Sequence, residues 1–151
     1  EMIASSLLYD AKTINMVDLL RRIGMCENAC TWRSLLLWLN AATMKGTTEG
    51  IEWNNASMLD SIRELDEIIA ILKSINGTDD RYVDLMNACR GIQLLCQIGL
   101  KINGAEESQD QQTLLSKEQK WFADYRKAWL RDNKLSQVDL IDEAMRQLIF
   151  L

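Results

Sequence analysis

Between residues 2 and 23, apolar side chains recur at Ile3, Leu7, Ala11, Ile14, Val17 and Leu20. Steps of three and four line up one face of an α-helix, and Gly24 follows as a helix stop. From about Asn28 to Met44, Trp32, Leu35, Leu36, Leu39 and Ala42 share a side, but Leu37 and Trp38 make the segment apolar nearly all round. Such a helix belongs in the middle of a bundle. Gly46 to Asn55 has the composition of an exposed loop.

A third helix is expected from a cap at Asn55 or Ser57, through Ile62, Leu65, Ile69 and Leu72 to Ile75, closing at Asn76-Gly77. Asp79 or Asp80 caps a fourth, with Leu85, Cys89, Ile92 and Cys96 on one stripe and Asn103-Gly104 at its end. Ala105 to Thr113 is the most polar stretch and reads as a mobile connection. Ser116 with Gln119 has the form of a capping box for a fifth helix, which carries Trp121, Phe122, Tyr125, Ala128 and Trp129 and stops near Asn133. A sixth is capped by Ser136 with Asp139 and shows Val138, Ile141, Met145 and Leu148 on one face. These patterns predict an all-α fold, an antiparallel helical bundle of five to six helices.

Composition sharpens this picture. The chain has no Pro, which helix interiors exclude and loop-rich β folds normally use. Its 151 residues fit one domain, so 1–151 reads as a single helical unit. It opens at Glu1 in an amphipathic pattern without initiator Met or signal-peptide core, and so reads as an excised C-terminal piece of a larger protein. A net charge of -5, with scattered basic residues, lacks the footprint of a nucleic-acid binder. No apolar run approaches the roughly 20 residues of a membrane span.

Candidate chemistry is sparse. The absence of His removes the commonest general base and metal ligand. Cys26 and Cys30 have the spacing of half a zinc site, but Cys89 and Cys96 lie two turns apart and do not supply the other half. Buried, reduced thiols are expected, with no metal, no cofactor and no catalytic residue in this chain. The Asp66-Glu67 and Asp142-Glu143 dipeptides sit mid-helix, where neighbours diverge by about 100°. They read as solvated faces. Asn55-Ala56-Ser57 and Asn76-Gly77-Thr78 match the glycosylation acceptor pattern but also what helix ends select. Phe122, Tyr125 and Trp129 form one aromatic stripe flanked by Arg126, Lys127, Arg131 and Asp132; such a stripe packs a helix, and beside Arg it can also stack on a sugar ring.

The segment Trp121 to Asn133, WFADYRKAWLRDN, resembles the Y-R-x-x-W-L-x-R-N-R-P segment near the C-terminus of bacterial family 20-type glycoside hydrolases, the β-N-acetylhexosaminidases. Tyr125-Arg126, Trp129-Leu130 and Asn133 stand at matching places, whereas Asp132, Lys134 and Leu135 replace the later Arg residues and the Pro. The resemblance implies a helical, non-catalytic domain that follows a catalytic barrel. Trp121, Tyr125, Arg126, Trp129, Arg131 and Asn133 would then serve interdomain packing or contact with a glycan. It further implies that the partner is the catalytic domain of the same parent chain, a protein exported from the cell. The catalytic Asp-Glu pair of that family follows a strand and a Gly-rich stretch, a setting neither dipeptide here has. The alternative from the residues alone is a free-standing helical-bundle module that binds a partner helix.

Overall fold

A computed structural model describes residues 16–27, 54–75, 79–132 and 138–151. The described residues form five α-helices: α1 (Met16–Glu27), α2 (Asn55–Ser74), α3 (Asp80–Ile102), α4 (Gln111–Asp132) and α5 (Val138–Ile149). Each packs on its chain neighbour in an antiparallel bundle, with a lighter contact between α1 and α3. The apolar segment at 28–44, expected at the centre, lies outside the described residues, as do Asn76-Gly77 and Ser136. Among the described residues the central helix is α3, about 35 Å long.

The burial pattern explains that position. One cluster joins Met16, Leu19 and Ile23 of α1 and Leu65, Ile68 and Leu72 of α2 to Tyr82 and Cys89 of α3. A second joins Leu94 and Ile98 of α3 to Leu114 of α4 and Leu148 and Ile149 of α5. Met58, Cys96 and Leu100 form a third. The first half of α3 thus faces α1 and α2, α4 runs along its other side, and the apolar cluster with α5 lies against its second half. Buried side chains at this density each contribute about 1.5–3 kcal/mol relative to exposure.

The helix ends are closed by polar side chains. Asn54, one residue before the expected cap, accepts from Ser57 N at 3.2 Å and starts α2. Asp79 accepts from Arg81 N at 2.9 Å and starts α3. At the other end of α3, Asn103 N–H reaches Gly99 O at 3.0 Å, and Gly104 takes φ +65°, a left-handed conformation that suits Gly. Asn103 also donates its amide to Asn55 Oδ1 at 2.9 Å, tying the end of α3 to the start of α2.

Two expected boundaries are corrected. Gly24 does not stop α1, which runs on to Glu27 and buries Cys26. The capping box at Ser116 is not the start of α4. Asp110 holds that place, accepting from Thr113 N at 2.8 Å and from Thr113 Oγ1 at 2.9 Å, so the polar connection ends earlier and Ser116 lies inside the helix.

At Gly91, α4 lies close against α3. A methyl group built on Gly91 would lie 2.9 Å from the indole nitrogen of Trp121 and 3.1 Å from its Cε2. The indole N–H donates to Asn87 O at 3.0 Å. Gly91 is therefore a space for a ring, and the ring is rigid. Gly→Ala within a helix ordinarily stabilises by about 0.5–1 kcal/mol. Here Gly91→Ala is expected instead to destabilise by about 1–3 kcal/mol through overpacking, read as a lower midpoint in urea unfolding. An unchanged or raised midpoint would show that the two helices are free to separate.

Candidate functional site

In the aromatic segment, Trp121, Arg126 and Arg131 reach other helices, and the rings of Trp121, Tyr125 and Trp129 stack along α4. Trp121 stacks on Tyr125 with centroids 5.0 Å apart, and Tyr125 meets Trp129 at 6.1 Å. All three are half-buried. The aromatic ladder therefore runs through Trp121 rather than Phe122, a correction to the stripe read from spacing. Burial raises the Tyr125 hydroxyl above its ordinary range. Arg131, at the end of α4, pairs with Asp84 and, at 3.1 Å, with Asp80, both in the first turns of α3. Arg126 lies 3.7 Å from Asp139 at the start of α5. Acidic side chains near helix N-termini and Arg at a C-terminus also suit the helix dipoles. Asn133 lies outside the described residues.

Beside this ladder, α2, α3 and α4 enclose a groove of about 730 Å³. From α3 it takes Arg90, Gln93, Leu94 and Gln97, which share one face by spacing. From α4 it takes Lys117, Lys120, Trp121 and Asp124, again one face. Ile62 and Asp66 of α2 close a side and Gln109 of the α3–α4 connection closes an end. Gln93 donates to Asp66 Oδ1 at 2.7 Å and to Ile62 O at 3.1 Å, bracing the α2 wall against α3. Of the expected site residues, only Trp121 lines this groove. The remaining lining residues were not singled out as a site in the sequence, because their common feature is three helices meeting.

The dipeptides divide. Asp66, Glu67 and Glu143 are exposed, as solvated faces should be, and Glu67 reaches Arg22 of α1 at 3.4 Å beside the Arg22–Glu64 pair. Asp142 is a correction: it is half-buried and acts on Glu118, which is 0% exposed in the α4–α5 interface. Neither Glu118 oxygen meets a donor. Burial first, then the neighbouring Asp142 carboxyl, push the Glu118 acid well above its ordinary range, against a smaller opposing pull from Arg146.

The thiols are poor nucleophiles. Burial pushes Cys89 up to about 11 and Cys96 to about 12, and it also raises Cys26, with Glu64 adding to the effect. All three are free; Cys30 lies outside the described residues. Among the described residues there is no group of three or more Cys, Asp or Glu placed to hold a metal, and no helix long and apolar enough to cross a membrane. Asn55 sits in the first turn of α2 with its amide oxygen engaged by Asn103. Compared with protein-family models, curated proteins and solved structures, the chain matches none of them.

Glu118 generates a pH dependence with a definite sign. Its acid holds a proton in the fold that the unfolded chain gives up from about the ordinary value of 4.5 upward. The native state then binds more protons than the unfolded state, so stability falls as pH rises through this window and levels off once Glu118 ionises in the fold. Glu118→Gln is expected to flatten that decline, with its largest gain over the parent chain at the alkaline end. Urea midpoints from pH 4 to 9 test it; parallel curves for the two chains would assign the dependence elsewhere.

Proposed function

We propose that the chain is a non-catalytic, C-terminal helical accessory domain of a glycoside hydrolase of the β-N-acetylhexosaminidase kind, which packs against the catalytic domain of its own parent chain and supports it. The observation that carries this reading is what the resembling segment does. Trp121, Tyr125 and Trp129 stack along α4, and the Trp121 indole, Arg131 and Arg126 join that helix to α3 and α5. Side chains used this way make a brace, the task such a domain has beside a barrel.

In this reading the catalytic domain would rest on the exposed apolar side chains at the end of the bundle. Leu140, Phe150 and Leu151 are 60%, 58% and 49% exposed on and just after α5. Large exposed apolar side chains are what a docking contact would use. The same surface would serve a free-standing helical module, the second reading, with a partner helix in the barrel's place.

Reading the gene upstream of the Glu1 codon separates the two. An in-frame barrel of about 250 residues with an Asp-Glu pair at a strand end is the expected result. A start codon close upstream would overturn the accessory reading and leave the interaction module. Within such a parent, Trp129→Ala is expected to lower the melting temperature while the kcat/KM of the folded enzyme on an N-acetylglucosaminide stays within about twofold, a change of under 0.5 kcal/mol. Unchanged stability would remove the bracing role.

A further inference from the structure

The groove between α2, α3 and α4 has three features that a bracing role does not use. The first is charge. Arg90, Lys117 and Lys120 line it against two carboxylates, Asp66 and Asp124, in a chain whose net charge is -5. None of these three cations has an ion-pair partner among the described residues, so their charge is not neutralised by a neighbour within the bundle. A local positive field in an acidic protein draws anions into a cleft.

The second feature is unmet hydrogen bonding. The side-chain oxygens of Gln97 and Gln109, both from lining residues, are shut off from solvent and meet no donor. A buried acceptor left in this state is costly. The χ3 torsion that carries each amide is soft, and a half-turn about it exchanges the oxygen with the amide nitrogen, so either group can present an acceptor to the groove. There an occupant with hydroxyl groups would satisfy it.

The third is shape. A cavity of about 730 Å³ lies in the range of small-molecule sites, and Ile62, Leu94 and the ring of Trp121 give its lining an apolar part. The indole N–H is already committed to Asn87 O, so the ring offers its apolar surface rather than a donor.

From these we infer that the groove binds a small hydroxylated anion, a sugar bearing a carboxylate or phosphate group. Its acidic group sits among Lys117, Lys120 and Arg90, its hydroxyls donate to the Gln97 and Gln109 amides, and its ring lies near Trp121. Lys117 and Lys120 are one turn apart on α4 and Arg90 lines the same groove from α3, so an occupant is offered cationic donors by two helices. Binding would also fasten α3 to α4. The inference goes beyond the accessory-domain reading and stands whether or not a barrel precedes this chain.

The test is a titration of the 15N-labelled chain, followed by NMR, with D-glucuronate and D-glucose 6-phosphate, and with D-glucose and inorganic phosphate as controls. Saturable shifts that include the Trp121 indole and the Gln97 and Gln109 amides are expected for the two sugar anions. Both controls should bind about tenfold more weakly or worse. Lys117→Gln with Lys120→Gln, both on the exposed side of α4, should weaken binding about tenfold, the equivalent of one charge-assisted hydrogen bond, while leaving the rest of the spectrum in place. If that pair disturbs the fold, Arg90→Gln on α3 makes the same test. Absence of saturable shifts, indifference to both variants, or equal binding of glucose or phosphate alone would each overturn the inference.

Discussion

The seat of the Trp121 indole over Gly91 sets the geometry of the second half of this bundle. A ring this large reaches the α3 backbone only because residue 91 lacks a side chain, and its N–H then finds Asn87 O at 3.0 Å. That one contact fixes both the rotation and the axial position of α4. Tyr125 and Trp129 follow in the ladder, and Arg131 arrives at Asp80 and Asp84. In the other direction along α4, the same rotation turns Lys117 and Lys120 toward the groove and Leu114 into the core. A shift of one residue would rotate all of these by about 100°.

Glu118 is the counterweight. It lies on the same buried side as Leu114 and Trp121, so the rotation that seats the indole also forces a carboxyl into the α4–α5 interface beside Asp142. Two carboxyls in one dry place favour a retained proton over two charges. The interface is tolerated because the proton is kept, and it weakens as that proton is drawn off. Elsewhere charge is handled at the surface: Arg22 spans Glu64 and Glu67, and Arg131 spans the first turns of α3. The exposed ones among these pairs position helices more than they stabilise them.

The helical class was legible because steps of three and four persist over four or five turns and no Pro interrupts them. Asp79 and Asn103-Gly104 were legible as ends because their side-chain and backbone chemistry is local. Gly24 misled because a helix tolerates Gly at a modest cost when the next turn, here Cys26, is worth burying. Ser116 misled because a Ser and a Gln three apart are equally at home on an exposed helix face; Asp110, with two bonds to Thr113, is the stronger cap. Starting α4 too late also hid Glu118, which then falls in a first turn instead of two turns into a buried stripe. Trp121 and Phe122 have equal claim to the stripe by spacing, and only the gap at Gly91 decides between them. The groove was not legible at all, since its walls come from residues as far apart as Ile62 and Asp124.

The brace and the groove share one dependence, the α3–α4 contact. Hydrogen exchange of the Trp121 indole proton, followed by NMR in deuterated water, tests that contact most directly. If the indole is the fixed seat of α4, its proton exchanges only through an opening as costly as that of the slowest α3 amides, at a rate many orders of magnitude below that of a free indole. Exchange complete within the first minutes, while the α3 amides remain protected, would contradict the account and show that α4 rides loosely on the rest of the bundle.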